Sequence, residues 1–169
     1  ARPGVASVLL ALEADLRSFQ LKPAKGTLTD VLDVRAIVTS LAGGDAIRYD
    51  RSVEMTLESG VPRSDTSAWY PLSQAFELVP GRYQARVAVR DRNGGRTGSV
   101  THDFEVPART GTSISSVILT DTILSPPPGS PQPPRPVLIV RRDIEQGATL
   151  YYQYSVFDAG TTAAGTTSV

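Results

Sequence analysis

The sequence has no cysteine and only one histidine among its 169 residues. These absences exclude disulfide bonds, thiol nucleophiles and zinc sites built from nitrogen and sulfur ligands. The 17 basic and 17 acidic side chains give a formal net charge of zero, so no overall positive charge favours nucleic acid. We therefore expect no metal, no cofactor and no nucleic-acid partner.

Long apolar runs are also missing. A membrane-spanning helix needs roughly 20 apolar residues, and the longest candidate run here is Val8–Leu12. Hydrophobic residues nevertheless make up 40% of the chain, a share typical of globular proteins. We expect a folded chain without membrane insertion.

Proline is concentrated in one segment, since seven of the 13 prolines lie between Pro126 and Pro136. Such a run cannot sustain a helix or a central strand and favours an extended polyproline conformation. We therefore predict a β-sandwich module at residues 1–124 and a Pro-rich linker at 125–136. Residues 137–169 are then an incomplete second β module with a flexible Thr/Gly-rich tail, because so short a segment rarely folds alone.

Apolar and polar residues alternate along much of the first module, and a period of two is typical of half-buried strands. Turn-forming residues such as Gly43-Gly44 and Pro80-Gly81 separate these segments. The pattern predicts an all-β fold, an antiparallel sandwich of the immunoglobulin or fibronectin type. The alternating segments are residues 32–38, 53–57, 82–90 and 100–106.

Residues 8–19 fit both an alternating strand and a helical stripe, because Leu9, Leu12, Leu16 and Phe19 also have helical spacing. We predict a strand, since every other element of the module is one.

Asn93-Gly94 is the preferred pair for a two-residue type I′ hairpin turn. Such a turn makes the numbers of paired residues add up to 187. The apolar faces of the two strands then coincide, and opposite charges meet. The predicted pairs are Val87 with Val100, Tyr83 with Phe104, Arg82 with Glu105 and Gln84 with Asp103.

The strand pattern that includes LVPGRYQARVAVRD (78–91), and its continuation at 95–100 and 104–107, resembles one known family. It is similar to the β-sandwich region that follows the von Willebrand A-type domain in bacterial VWFA-related proteins. Residues 115–119 and 147–159 resemble what comes next there.

The Asp-x-Ser-x-Ser metal motif of the A-type domain is absent from this sequence, so none of its metal chemistry is carried over. The resemblance implies a bacterial accessory module that is extracellular or on the cell surface, with the periplasm as an alternative, and it implies no catalytic role.

Tyr83 follows the Pro80-Gly81 corner and opens a strand. This position resembles the tyrosine corner of sandwich folds, in which the hydroxyl bonds to nearby backbone. We interpret Tyr83 as structural rather than as a ligand-stacking ring, and we interpret Asn93 and Gly94 as turn residues.

Three patterns suggest chemistry and fail on geometry or composition. His102 lies beside Asp103 and near Ser99, but neighbours on a strand point to opposite faces and no G-x-S-x-G motif is present. Asp91 and Asn93 resemble the start of a calcium loop that lacks its later carboxylate. The outward arginines of residues 82–92 are better explained by pairing with Asp103 and Glu105 than by an anionic polymer. We expect no enzyme.

Two aromatic groups are candidate contacts. Trp69 and Tyr70 lie in a stretch, residues 62–73, that we predict to be irregular, where they either plug the sandwich or stack on a sugar. Residues 137–140 and 150–157 read as two strands. The second places Tyr152, Tyr154 and Val156 on one face and Tyr151 and Phe157 on the other.

An aromatic edge strand is a template for pairing with another chain. We therefore expect a structural, protein-binding module that self-associates through its C-terminal strands into an oligomer or filament. The alternative is a carbohydrate-binding module that holds polysaccharide with Trp69 and Tyr70.

Overall fold

The computed structural model describes residues 4–58, 69–140, 144, 146–161 and 167–168. Contacts divide the chain into two compact units: Ala1–Leu10 with Ala14–Pro107, and Ala11–Glu13 with Ala108–Val169. The described residues form antiparallel sheets and contain no α-helix, only a 3-10 turn at Leu16–Ser18. The predicted all-β antiparallel class is confirmed. No helix in this part of the chain could cross a membrane.

A curled five-stranded sheet makes up most of the first unit. Strands β4, β3, β6 and β7 lie side by side, and β2 pairs with the start of β3. Strands β1 and β5 form a separate two-stranded sheet. The strands are β1 (Ala6–Asp15), β2 (Lys22–Ala24), β3 (Thr27–Ser40), β4 (Ile47–Glu58), β5 (Trp69–Leu78), β6 (Gly81–Asp91) and β7 (Thr97–Val106).

The core of the first unit lies on one face of the five-stranded sheet. Alternate residues of β3 and β6 are buried there, and β5 contributes Phe76 and Leu78. The ring of Phe76 meets that of Tyr49 edge-on, with centroids 6.5 Å apart. Fully burying such side chains contributes about 1.5–3 kcal/mol each. The other core residues include Leu32, Val34, Ala36, Val38, Met55, Tyr83, Ala85, Val87, Val89 and Val106.

The four alternating segments are all strands, within β3, β4, β6 and β7. Residues 8–15 also form the predicted strand, as part of β1. The helical spacing does not correspond to an α-helix. After the strand, Leu16–Ser18 form a 3-10 turn that buries Leu16.

The register predicted for the β6–β7 hairpin is confirmed, since its paired residues add up to 187. The predicted type I′ turn is wrong. The loop has four residues, 92–95, and its residue with positive φ is Gly95 (φ +71°) rather than Asn93 or Gly94. The N–H of Asp91 donates to the carbonyl of Arg96, and this pair closes the four-residue loop. A two-residue loop at 93–94 and a four-residue loop at 92–95 have the same centre, so both give the same register.

Trp69 and Tyr70 belong to strand β5, so the prediction of an irregular stretch is wrong for residues 69–73. Residues 62–68 of that stretch lie outside the described part of the chain. Pro71 is compatible with this strand because β5 pairs only with β1 among the described residues.

The second unit consists of short antiparallel pairs. The pairings are β10 with β11, β9 with β12, β8 with β13, and β14 with β15. The strands are β8 (Ser113–Ile114), β9 (Ile118–Thr120), β10 (Ile123–Leu124), β11 (Arg135–Pro136), β12 (Tyr151–Gln153), β13 (Val156–Phe157), β14 (Gly160–Thr161) and β15 (Thr167–Ser168).

The predicted C-terminal ribbon differs from the observed pairing. Residues 137–140 are not a strand, and residues 150–157 are divided between β12 and β13. Both of these strands pair with segments that precede the prolines, β9 and β8. The tail was predicted to be flexible, but residues 160–161 and 167–168 pair with each other, while 162–166 and 169 lie outside the described residues.

The Pro-rich segment forms a closed loop inside the second unit and is not a spacer in front of it. Strands β10 and β11 close the loop at its base. Within it, the Ser130 N–H donates to the Pro127 carbonyl (3.0 Å), and Gly129 has φ +84°. Pro128 followed by this glycine is the sequence of a type II turn, which reverses the polyproline run. By contacts, Ala14–Pro107 belong to the first unit and Ala108–Val169 to the second.

Candidate functional site

The second unit exposes a row of aromatic side chains, here called the aromatic strip: Tyr151, Tyr152, Tyr154 and Phe157. Their exposed fractions are 44%, 69%, 50% and 36%, respectively. All four were candidate contacts from the sequence. Large rings are normally among the side chains that a fold covers, so four exposed rings within seven residues mark an unusual surface.

Tyr152 and Tyr154 form a parallel pair. Their ring centroids are 6.3 Å apart and their planes differ by 5°. Residues two apart on an extended chain lie on the same side, as predicted for this pair. The two rings therefore lie stacked on the same side of the chain.

Hydrogen bonds to the opposing segment hold the backbone below these rings. The N–H of Ser115 donates to the carbonyl of Ser155 (2.8 Å), and the N–H of Ser155 donates to the hydroxyl of Ser115 (2.9 Å). The guanidinium of Arg109 lies 4.5 Å from the ring centroid of Phe157, a cation–π contact. The strip is thus attached at the Phe157 end, while the tyrosines remain open to solvent.

Trp69 and Tyr70 do not form a common ligand platform. Adjacent strand residues point to opposite faces, and Tyr70 shares its face of β5 with the buried Phe76 and Leu78. Both aromatic residues are half-buried, and the Arg17 guanidinium lies over the Trp69 ring at 5.7 Å from its centroid. One face of the indole is therefore occupied by protein.

Tyr83 makes the bond expected of a tyrosine corner. Its hydroxyl donates to the backbone carbonyl of Val79 at 2.8 Å, and its ring stacks on Phe104 with centroids 5.7 Å apart. With only 6% of its surface exposed, this ring has no free face for a ligand.

Asn93 and Gly94 serve the structure of the loop. The side-chain amide of Asn93 donates to the carbonyl of Thr29 (3.0 Å), and the N–H of Gly94 donates to a carboxylate oxygen of Asp91 (2.8 Å). A Cβ atom on Gly94 would lie 2.5 Å from the other oxygen of that carboxylate. Glycine is required here because the acidic side chain fills the space.

The sequence reasoning missed a buried pair of acids, Asp30 on β3 and Asp91 on β6, here called the acid pair. Only 3% of Asp30 and none of Asp91 is exposed. Leu32, two residues from Asp30, lies directly opposite Asp91 in the sheet, so both acids lie on the core face. The alternation of inward residues, extended by two residues before Leu32 and by two residues after Val89, reaches Asp30 and Asp91.

Backbone N–H groups surround the acid pair. One oxygen of Asp30 accepts from Val31 (2.7 Å), and the two oxygens of Asp91 accept from Gly94 (2.8 Å) and Gln20 (2.9 Å). The second oxygen of Asp30, Oδ2, is buried and accepts no hydrogen bond. The neighbouring Asp91 carboxylate is the group to which a protonated Oδ2 would donate.

The two carboxyl groups have opposite pKa shifts. Burial, followed by the hydrogen bond with Asp91, raises the pKa of Asp30. Burial also acts to raise the pKa of Asp91, but the N–H donors of Gly94 and Gln20, together with Asp30, outweigh it and lower that pKa. The folded state therefore favours a proton on Asp30 over a proton on Asp91.

The acid pair is not a metal centre. The Asp91 oxygens accept from N–H donors, and the Asn93 amide donates to a carbonyl, so the residues that resemble a calcium loop face donors rather than a cation. Within the described ranges, no three His, Asp or Glu side chains are close enough to hold a metal ion.

Part of the outward face of the five-stranded sheet is paired internally. The Arg92 guanidinium donates to Asp33 (2.6 Å) and to Ser52 (2.8 Å). The Ser52 hydroxyl also donates to Asp33 (2.8 Å). The hydrogen bonds from Arg92 and Ser52 lower the pKa of Asp33 to about 2. Asp103 accepts a hydrogen bond from Gln84 (2.9 Å), as the predicted register requires. The predicted pairing of the outward arginines with Asp103 and Glu105 does not hold for Arg92, whose acidic partner is Asp33.

His102 lies on the core face of β7 but is exposed, and its ring stacks on Phe104 at 6.4 Å. Asp103 points to the opposite face and bonds to Gln84. These two residues therefore do not form a catalytic pair.

No protein-family model matches this sequence, and no curated protein or solved structure is significantly similar to it.

Proposed function

We propose that this chain is a non-enzymatic structural and interaction module that binds another protein chain through the aromatic strip, and that the first such chain to consider is a second copy of itself. The observation that carries the proposal is the exposure of the stacked Tyr152 and Tyr154 on one side of the chain, with the exposed Tyr151 beside them on the other. Tyrosine is enriched at the centre of protein interfaces because it combines a large apolar area with a hydrogen-bonding tip.

The backbone supports the same proposal. Strand β12 pairs with β9 and with no other strand in the described part of the chain, so its second edge has no strand partner there. A partner strand added at that edge gains backbone hydrogen bonds, while the tyrosine rings supply the buried area. When the added strand comes from a different surface of the next copy, the contact is head-to-tail, and its repetition builds an oligomer or a filament.

For the first unit, we propose a sandwich of the immunoglobulin or fibronectin type. Its support is the core shared by the five-stranded sheet and β5, together with the tyrosine corner at Tyr83. A location at the bacterial cell surface or outside the cell rests on the resemblance to VWFA-related proteins.

Glycan binding by Trp69 and Tyr70 has less support. Sugar rings stack on open aromatic faces, and Arg17 covers one face of Trp69. Tyr70 lies on the opposite side of the strand, so the two rings cannot hold one sugar together.

Light scattering over a concentration series tests the interaction proposal. We expect the full chain to form oligomers that grow with concentration, and the double variant Tyr152→Ser, Tyr154→Ser to stop at a small species of constant size. Leu124→Ser is the matched control, because Leu124 is 61% exposed in the same unit and lies outside the strip.

The variants also need a folding check by circular dichroism. Equal growth in the double variant and in the full chain would reject the strip as the binding surface. Retention of the full chain on polysaccharide that depends on Trp69 would instead favour the carbohydrate alternative.

A further inference from the structure

Strand β7 is open to solvent in a way that its neighbour β6 is not. All residues of Thr97–Asp103 are exposed, including Val100 on the core face at 53%. In β6, by contrast, buried residues alternate with more exposed ones along the strand. Among the described residues β7 pairs only with β6, so one long edge of the five-stranded sheet has neither a partner strand nor cover.

The hydrogen-bond pattern shows which groups face this open edge. The N–H of Asp91 donates to the carbonyl of Arg96, so even-numbered residues of β7 bond to β6. On the other side of β6, the N–H of Leu41 donates to the carbonyl of Arg82, as the alternation requires. The N–H and C=O groups of Thr97, Ser99, Thr101, Asp103 and Glu105 therefore point away from the sheet.

The first half of this edge lacks the usual protection against pairing, and Asp103 and Glu105 are the acidic residues of its second half. Exposed edges are normally blocked by charged side chains, proline or a bulge, and residues 97–101 (TGSVT) have none of these. The opposite edge of the sheet, β4, is protected by charges along its length: Arg48, Asp50, Arg51, Glu54 and Glu58.

We propose that the β7 edge binds the β7 edge of a second copy of this chain, in an antiparallel pairing about a twofold axis at Thr101. The two curled sheets then become one continuous sheet. Each outward N–H from Thr97 to Glu105 donates to a carbonyl of the partner subunit, giving about ten backbone hydrogen bonds.

The side chains of β7 are complementary to themselves in this pairing. On the core face, Phe104 lies opposite Gly98 of the partner subunit, and Val100 lies opposite His102 of the partner subunit. These are non-hydrogen-bonded pairs, in which side chains approach most closely. The exposed Val100 is thereby covered, and the large ring meets the position that has no side chain.

The charges on the outer face also fit. Asp103 and Glu105 lie opposite Ser99 and Thr97 of the partner subunit, so no acids face each other. Beside Thr97 in the same row lies Arg90, which forms no ion pair among the described residues. The Arg90 Cα lies two strand spacings, about 10 Å, from that of the partner's Glu105, a distance that the two long side chains can bridge.

Sedimentation velocity on the full chain tests this proposal, with Thr101→Pro as the disrupting variant. The Thr101 N–H faces the open edge, so proline removes a bond to the partner and none within the chain. Thr56→Pro is the matched control, since Thr56 is exposed on the outer edge of β4 and the same alternation points its N–H away from β3. In the Tyr152→Ser, Tyr154→Ser background, which removes association through the aromatic strip, we expect the parent and Thr56→Pro to be dimers. Thr101→Pro in that background should be a monomer that is still folded by circular dichroism.

A covalent test fixes the register. The chain has no cysteine, so Thr101→Cys introduces a single thiol, which lies about 5.5 Å by Cα from its symmetry mate in a hydrogen-bonded pair, within disulfide range. We expect Thr101→Cys to form a disulfide-linked dimer on mild oxidation and Thr56→Cys to remain monomeric on a denaturing gel. If Thr101→Pro does not fold, Thr101→Lys replaces it, because two ammonium groups then meet on the axis.

In the Tyr152→Ser, Tyr154→Ser background, a parent chain that is monomeric at millimolar concentration overturns the proposal, as does a Thr101→Pro variant that folds and still dimerises. Loss of the dimer in Thr56→Pro also overturns it, since that result indicates head-to-tail pairing of β7 with β4. The proposal does not depend on the aromatic strip: Tyr152→Ser, Tyr154→Ser leaves this dimer intact, so failure of either proposal is seen separately.

Discussion

The acid pair makes the stability of the first unit depend on pH in a direction opposite to that of ordinary acidic residues. The raised pKa of Asp30 lets the folded state keep this proton to a higher pH than an unfolded aspartate, which loses it near pH 3.9. Between these two pKa values the folded state binds one proton more than the unfolded state. Its free energy of unfolding therefore falls by about 1.4 kcal/mol for each pH unit of increase.

Asp30→Asn removes this dependence and keeps the geometry. The asparagine carbonyl accepts from the N–H of Val31, and its amide donates to Asp91 at every pH. Below pH 4 the lowered pKa of Asp91 works in the opposite sense, since stability is lost as that carboxylate is protonated. Above pH 4, in the window governed by Asp30, we expect the wild type to lose stability with rising pH and the variant to stay level.

Urea unfolding between pH 4.5 and 8, followed by the fluorescence of Trp69 in the first unit, measures the difference. Asp33→Asn is the matched control, because Asp33 is on the outward face of the same strand and its pKa is lowered to about 2. Parallel pH profiles for the wild type and Asp30→Asn would refute a protonated Asp30.

Asp91→Ala examines the other half of the acid pair. It leaves the N–H groups of Gly94 and Gln20 and the hydroxyl of Asp30 without an acceptor. A buried unsatisfied group costs about 1–3 kcal/mol, so we expect a loss of at least about 3 kcal/mol, a large fraction of the stability of a typical domain. A loss below about 1 kcal/mol in the same urea assay would show that water reaches these donors.

Three further outcomes follow from the same region of the sheet. Gly94→Ala forces a Cβ to within 2.5 Å of the Asp91 carboxylate, so urea unfolding should show a loss of about 1–3 kcal/mol; an unchanged midpoint would show that the carboxylate moves aside. Tyr83→Phe loses one hydrogen bond to a backbone carbonyl and keeps the stacked ring, so we expect about 1 kcal/mol by thermal or urea unfolding; no change would mean that the bond is not formed in solution. Asp33 stabilises the folded state above pH 4, and this contribution disappears as the pH falls from 4 to 2; Asp33→Asn should flatten that limb of an acid titration followed by circular dichroism, and an unchanged limb would contradict the ion pair.

The first unit could be predicted closely from the sequence because its signals are local. Period-two alternation placed β3, β4, β6 and β7, and the loop centred on Asn93-Gly94 fixed which residues of β6 and β7 face each other. The turn type was not predictable from those two residues, because the carboxylate of Asp91 and the left-handed Gly95 together decide it.

The second unit was beyond such reasoning. Its strands are two or three residues long, too short to show a period. The partner of β12 is β9, which lies on the far side of the Pro-rich segment. A proline run looks like a spacer until a single glycine, Gly129, turns it back on itself.

The acid pair was missed for a different reason. A period-two pattern predicts an inward face only where the inward residues are apolar. Asp30 and Asp91 are acidic, so the pattern does not assign them to the core face on which they lie. Strand β5 was missed because Pro71 interrupts a segment of mixed polarity, although its even-numbered residues share a face with Phe76 and Leu78.

Hydrogen exchange of the backbone amides across a concentration series tests most directly whether this chain is an interaction module. The proposals predict that protection rises with concentration at residues 150–157, where the aromatic strip lies, and at the outward amides of residues 97–105. Exchange that is fast and independent of concentration in both segments, in a chain that is otherwise protected, would contradict them.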